Sequence, residues 1–194
     1  MTCAKSNKTG RAYVVCGPTA VGKGTVLNEL RRRYSGELWY SVSATTRSPR
    51  PGEIDGTDYY FVSEARFDSL VASGGMLEWA IVHGKHRYGT PREPVAAALA
   101  SGKIVILELD LAGSRQVRSS LPEATHIFIA PPSWEELERR LIQRGTEGEA
   151  EQARRLETAK TELAAQSEFD AVVVNCEVSK AVSELAQIMG LEAS

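Results

Sequence analysis

The sequence predicts an α/β fold: a parallel sheet with helices on both faces. Two observations carry this. Short, continuously apolar, β-branched runs alternate along the chain with stretches of helical periodicity, as strands buried on both faces do when crossover helices join them. The first such run ends in a glycine-rich loop that opens a helix, which is how a phosphate-binding turn is built. The chain has 194 residues, about one domain's worth, and that length buries roughly 70% of the unfolded surface without a covalent staple.

Taken in order, Ala12, Tyr13, Val14, Val15 and Cys16 form the first strand, 12–16, which stops at Gly17-Pro18. Leu27, Leu30 and Tyr34 then recur at helical spacing, predicting a helix over 23–34. Residues 41–90 break the alternation. They are rich in Ser, Thr, Arg, Gly and aromatics, with short alternating pieces such as 59–62, and read as a small β-rich insertion with one helix over 63–72. Alternation then resumes with helix 93–100, strand 104–109, helix 113–119, strand 125–129 and helix 133–143. Helix 147–167, strand 171–174 and helix 180–189 follow. Between 143 and 150 two glycines interrupt the helical pattern, and Thr146 with Glu149 fits a capping box that starts a new helix. A helical hairpin hinged there could move as a lid; the plainer alternative is an ordinary helix-helix turn.

Composition narrows the function. Hydrophobic residues make up 42% and charged residues 25%, and the net charge is -2. That is ordinary globular composition, and it argues against a dedicated nucleic-acid binder. No apolar run approaches the roughly 20 residues that span a membrane, and the first eight residues lack the apolar segment of a secretory signal. Cys3, Cys16 and Cys176 have no C-x-x-C spacing, and His83, His86 and His126 form no ligand pair at helix spacing. Neither a zinc site nor a disulfide framework is expected. The expected address is the cytoplasm, with idle thiols in a reducing compartment.

Gly17-Pro18-Thr19-Ala20-Val21-Gly22-Lys23-Gly24-Thr25 is the candidate phosphate cradle. Its glycines let successive backbone N–H groups turn inward, the helix N-terminus adds partial positive charge, and Lys23 would neutralise the β and γ phosphates of a nucleotide. One position departs from the standard loop. Gly24 stands where a Ser or Thr usually holds Mg²⁺. A metal is therefore expected to rest on phosphates and water, with Thr25 and Asp110 as candidate partners through water. A glycine at this place also occurs in loops of the adenylate kinase type. The chain has no N/T-K-x-D guanine-reading tetrapeptide and no L-S-G-G-Q signature. Those absences argue against a GTPase and an ABC-type ATPase, and small size with an insertion and a lid points to a nucleoside monophosphate kinase.

Residues 41–61 carry a second anion site: Arg47 and Arg50 lie three apart in a turn-rich segment with Tyr59 nearby. Arginine suits bidentate phosphate recognition, although two arginines in a loop can equally be a solvated surface. The segment reads S-x-T-T-R-x-P-R-x-G-E-x-x-G-x-D-Y-x-F from Ser43 to Phe61. With the cradle, Leu77-Glu78-Trp79-Ala80, Tyr88-Gly89-Thr90, Ala130-Pro131-Pro132-Ser133, Arg144-Gly145-Thr146-Glu147 and Val173-Val174-Asn175, it resembles the guanylate kinase family in order, from about Arg11 to Met189.

The resemblance implies a P-loop NTPase core with a parallel sheet and flanking helices, a small β-rich GMP-binding insertion and a helical lid, all within one domain. The core would be 11–40, 91–132 and 161–194, the insertion 41–90 and the lid 133–160, with insertion and lid closing over the core. It implies Mg²⁺-dependent, direct in-line transfer of the ATP γ-phosphoryl group to GMP, giving ADP and GDP. ATP would lie on Gly17 to Thr25, with Arg144 and Asn175 at the adenine. GMP phosphate would be held by Arg47, Arg50, Tyr59 and Tyr88, and guanine read by Ser43, Glu78 and Thr90. Asp110 matches an acidic position in the guanine and metal-water surroundings, whereas Glu108 and Ala112 stand where the family usually has Asp and Gln. Lys23, Arg47 and the lid arginines Arg140, Arg144 and Arg155 would carry catalysis; Arg31, Arg32, Arg33, Arg139 and Arg154 read as solvated neighbours. Two rivals remain. A scaffold-type interaction module would lose cradle residues, yet Gly17, Gly22, Lys23, Arg47 and Arg144 are present. A kinase for another small phosphate ester would have no use for Ser43, Glu78 and Thr90. Small-molecule substrates, no nucleic acid and no membrane are the expected partners.

Overall fold

Alternation in the sequence becomes alternation in space. The computed structural model describes residues 9–82, 84–143 and 149–191. Cys3, His83, Arg144 and the capping box at 146–149 therefore lie wholly or partly outside the described residues. The elements are β1 (Arg11–Cys16), α1 (Lys23–Arg33), β2 (Leu38–Tyr40), β3 (Ala44–Thr45), β4 (Tyr60–Phe61), α2 (Glu64–Ala72), β5 (Met76–Val82) and β6 (His86–Pro91). They continue with α3 (Arg92–Ala100), β7 (Ile104–Glu108), α4 (Leu111–Ser120), β8 (Thr125–Ala130), α5 (Trp134–Gln143), α6 (Glu149–Ala164), β9 (Ala171–Val174) and α7 (Val178–Met189). This is a mixed α/β protein with a parallel central sheet and flanking helices, as the apolar runs predict.

The chain divides into two compact units: one holds residues up to 12, 39–107 and 112–124, the other 13–38, 108–111 and those from 125 on. In the second unit β1, β8 and β9 run parallel, with Tyr13 opposite Thr125, Cys16 opposite Phe128 and Ile127 opposite Ala171. Val14, Val15 and Cys16 of β1 and Ile127, Phe128 and Ile129 of β8 are wholly buried, which is why these strands read as unbroken apolar runs. Each such side chain contributes about 1.5–3 kcal/mol relative to exposure. Helix α7 packs on α1 and buries Ala181, Val182, Leu185, Ala186 and Met189, one stripe at helical spacing.

In the first unit four strands form a sheet in the order β4-β3-β6-β5. Strand β3 pairs parallel with β4, and β6 pairs antiparallel with both β3 and β5. Helix α2 begins at a Ser63 cap whose hydroxyl accepts the Arg66 N–H. It plants fully buried Phe67 among Ala44 and Met76, with Trp79 against them. Strand β2 lies beside β7.

Several expected bounds shift. Strand β2 is not foreseen at all, since three residues are too few for a pattern to register. The expected helix 147–167 is α6 followed by a short 3-10 turn, Gln166–Glu168. The expected strand 104–109 ends at Glu108. Helices α4 and α7 begin two residues earlier than expected. Ser133 lies outside α5 as its cap, its hydroxyl accepting the Glu136 N–H.

Candidate active site

The cradle in the second unit is built by strand β1 ending where helix α1 has yet to begin. Val21 N–H closes a turn onto the Pro18 carbonyl at 3.2 Å, and Val26 N–H takes the Gly22 carbonyl at 3.0 Å. Gly22 caps α1 in the left-handed region, φ 92°. A Cβ there would sit 2.6 Å from Asn175 Nδ2, so glycine is required for both conformation and space. Ala20 is also left-handed, φ 67°, a strain of about 1 kcal/mol or more that such loops tolerate.

Two side chains from distant elements hold the loop by its Val21 carbonyl. Asn175, buried after β9, donates its Nδ2 at 2.8 Å, and Arg140 of α5 donates Nη1 at 3.2 Å. Arg140 also reaches the Asn175 carbonyl at 3.5 Å and is steadied by Glu136 at 2.8 Å. Asn175, expected at the adenine, thus uses its amide to fix the loop. Lys23 Nζ donates to the Leu109 carbonyl at 3.3 Å. Around these groups lies a cavity of about 540 Å³ lined by residues of the loop from Gly17 to Thr25 together with Glu108, Asp110, Arg140 and Glu162. Thr25 and Asp110 both stand on its wall. Arg155 is half-buried in α6, and Arg144 lies outside the described residues.

Glu162 is a member of this site that the sequence does not announce. It faces the loop from α6, accepts the Thr19 backbone N–H, and leaves its Oε2 buried without a hydrogen-bond partner. Burial pushes its carboxyl above the usual range, opposed by nearby Lys23. Burial likewise pushes the Cys16 thiol up to about 11, which leaves it inert at neutral pH. Cys176 is an exposed free thiol.

In the first unit three of the four residues expected at the phosphate, Arg47, Tyr59 and Tyr88, come together, and the exposed side chain of Arg50 is not shown with them. Arg47 Nε donates to the Tyr88 hydroxyl at 3.1 Å, its guanidinium lies 5.4 Å from the Tyr59 ring centre, and the Tyr59 and Tyr88 rings meet edge-on at 5.8 Å. Glu53, part of the motif from Ser43 to Phe61 but given no role there, grips Arg47 with both oxygens, at 2.9 and 2.8 Å. It also accepts the Arg50 backbone N–H at 2.6 Å. The Arg47 guanidinium, then the Arg50 N–H, hold the Glu53 carboxyl down at about 2. The same pair raises the Arg47 pKa, chiefly through Glu53. Arg50 is exposed.

Glu78 and Thr90 are direct cross-strand partners of β5 and β6. Both are buried, and Thr90 Oγ1 donates to Glu78 Oε1 at 2.6 Å. Gly89 between Tyr88 and Thr90 has no room for a side chain: a Cβ would lie 2.6 Å from the Glu78 carbonyl oxygen. Ser43, half-buried before β3, accepts the Tyr60 N–H with its carbonyl at 2.9 Å. The arrangement offers a buried carboxylate bonded to one hydroxyl, a chemistry suited to a ring edge with adjacent N–H donors, in the same unit as an arginine-tyrosine cluster.

Comparison with known proteins gives the family. A family model described as guanylate kinase matches residues 9–192. A guanylate kinase of Leifsonia xyli subsp. xyli is 61% identical over 176 residues, covering 91% of this chain and 69% of that protein. One of Synechococcus sp. (strain CC9311) is 55% identical over 191 residues, covering 98% and 100%. The crystal structure of guanylate kinase from Anaplasma phagocytophilum superposes with a TM-score of 0.70 at 30% identity, covering 95% of this chain and 86% of that one.

Proposed function

The chain belongs to the guanylate kinase family, and from that premise we propose how its residues divide the work. It is a nucleoside monophosphate kinase that transfers a phosphoryl group from ATP to GMP. The carrying observation is a buried Glu78 bonded to Thr90 in the unit that also holds the Arg47-Tyr59-Tyr88 cluster. Guanine presents N1–H and N2–H₂ side by side, and a carboxylate can accept both. Adenine lacks the N1–H and presents a donor where guanine has O6. Ser43 and Thr90 hydroxyls complete the guanine set. Arg47, Arg50, Tyr59 and Tyr88 hold the GMP phosphate, for which Arg47 must loosen its grip on Glu53.

ATP phosphates rest on Gly17, Pro18, Thr19, Ala20, Val21, Gly22, Lys23, Gly24 and Thr25, with Arg144 and Asn175 toward the adenine. The GMP phosphate oxygen attacks the γ-phosphorus in line, the bond to the β-bridging oxygen breaks, and ADP leaves with that electron pair. No protein nucleophile is needed. Lys23, Arg47, Arg140, Arg144 and Arg155 neutralise charge on the transferring group, since such catalysis is positioning plus electrostatics.

Hard oxygen donors on the cavity wall, Thr25, Asp110 and Glu108, suit Mg²⁺. Mg²⁺ commonly keeps several waters and binds through one or two carboxylates together with substrate phosphates. When bound, Mg²⁺ would supply charge neutralisation on the substrate phosphates. Thr25 and Asp110 would hold it through water. We assign the core to 11–40, 91–132 and 161–194, the GMP-binding insertion to 41–90 and the lid to 133–160. Among the described residues no helix is long and apolar enough to cross a membrane, and a cytoplasmic address suits the free thiols of Cys16 and Cys176.

Lys23→Ala tests the cradle. The variant keeps its far-ultraviolet circular dichroism and its GMP affinity but loses at least about 10²-fold in kcat. Near-normal turnover by the folded variant contradicts the assignment.

A further inference from the structure

Both residues that flank Glu78 are held from outside the sheet. Strand β5 lies at an edge, where backbone groups are left without strand partners. Gln116 of α4 supplies them at Trp79: its Oε1 accepts the Trp79 N–H at 3.0 Å and its Nε2 donates to the Trp79 carbonyl at 3.0 Å. Ser120, one turn further along α4 and on the same face, donates its hydroxyl to the Leu77 carbonyl at 2.6 Å. The Ser120 carbonyl is in turn tied to Arg92 Nη1 at 2.9 Å.

This is also where the register of β5 shifts. Met76 lies opposite Pro91 and Glu78 opposite Thr90, so Leu77 is an extra residue. A bulge of this kind re-aims the side chains that follow it. Its effect is visible in the packing: Met76 and Trp79, which strict alternation would put on opposite faces, both pack with Phe67. Without the bulge the strand would slip by one and Glu78 would lose Thr90 as its partner.

We propose that Gln116 is a positioning residue for base selectivity: its two-point clamp on Trp79, with Ser120 on Leu77, fixes the bulge and so holds Glu78 on the guanine edge. The inference rests on the reading of Glu78 as the guanine carboxylate. Neither Gln116 nor Ser120 touches substrate in this account; both act through the strand.

The test compares wild type, Gln116→Leu, Glu78→Gln and the double variant, with GMP and IMP as acceptors at saturating ATP, and with ATP varied separately at saturating GMP. IMP lacks the 2-amino group that Glu78 accepts. Gln116→Leu leaves an apolar side chain one atom shorter and removes both hydrogen bonds. The expected result is a KM for GMP raised roughly tenfold or more, an unchanged KM for ATP and a smaller GMP-over-IMP preference. In the Glu78→Gln background the same change then adds little. Equal losses for GMP and IMP, or penalties that multiply in the double variant, overturn the proposal. Should Gln116→Leu fail to fold, Ser120→Ala carries the test: a reduced GMP-over-IMP preference supports the clamp and an unchanged one overturns it. Glu78→Gln separates the two readings. If it leaves the preference intact, the guanine assignment falls and the clamp's role with it. If it abolishes the preference while Gln116→Leu does not move it, the clamp alone falls.

Discussion

A carboxylate can accept from N1–H and N2–H₂ of guanine together, and the proposed reading gives that role to Glu78, which is bonded to Thr90. Glu78→Gln replaces one acceptor with a donor that faces a guanine donor. It should weaken GMP by roughly 10²-fold or more, because buried polar groups are left mispaired, and leave the KM for ATP unchanged. Steady-state kinetics in both substrates checks this; equal losses for both would remove Glu78 from the guanine site. Glu53 gives a second prediction. Its ordinary value is 4.5 and in the fold it lies near 2, so its pairing with Arg47 is fully in place above about pH 4.5. The stability this pairing contributes declines as pH falls from there, and the pair itself breaks only as the carboxylate protonates near pH 2. In the free enzyme a carboxyl NMR titration should find Glu53 still ionised at pH 4, where ordinary glutamates are half protonated. A Glu53 midpoint above 4 would mean the bidentate pair does not form in solution.

At the scale of elements, the cradle depends on chain crossings that only a folded molecule makes. Strand β9 delivers Asn175 and helix α5 delivers Arg140 to one carbonyl, that of Val21. Gly22→Ala would push a methyl against Asn175 Nδ2 and force a side chain to φ 92°. The expected cost is about 1–3 kcal/mol, with a raised KM for ATP and an unchanged affinity for GMP. Thermal unfolding and separate titrations of the two nucleotides measure it; an unaltered ATP site would contradict the packing at Gly22. Helix α6 delivers Glu162. Because burial raises its carboxyl, the fold holds that proton better than the unfolded chain does, so its contribution is present below about pH 4.5 and is lost as pH rises through the folded value. Glu162→Gln should therefore raise the Tm of the nucleotide-free protein at pH 8, with the gain shrinking as pH falls. A lower Tm at pH 8 would show that the pairing with Lys23 outweighs the burial.

Across the whole molecule, legibility follows how local each feature is. The cradle is nine consecutive residues between a buried strand and a helix, so its composition alone declares it. Arg47, Tyr59, Tyr88, Glu78 and Thr90 are named by motif, and the structure brings them together as two clusters within one unit. Other features have no local signature. Glu162 is one of many charged residues along α6, and Gln116 meets Trp79 across 37 positions of sequence. The bulge at Leu77 is invisible because Met76-Leu77 reads as an ordinary apolar pair, and Glu53 stood in plain sight as a loop carboxylate whose partner only the turn geometry reveals. The measurement that bears most directly on the central assignment is ADP formation from Mg·ATP with GMP, AMP, CMP, UMP and IMP offered in turn. Strong turnover with GMP, and little with IMP or the others, is the predicted result. Turnover with none of them, or equal turnover with AMP and GMP, in a sample that still binds ATP, would contradict it.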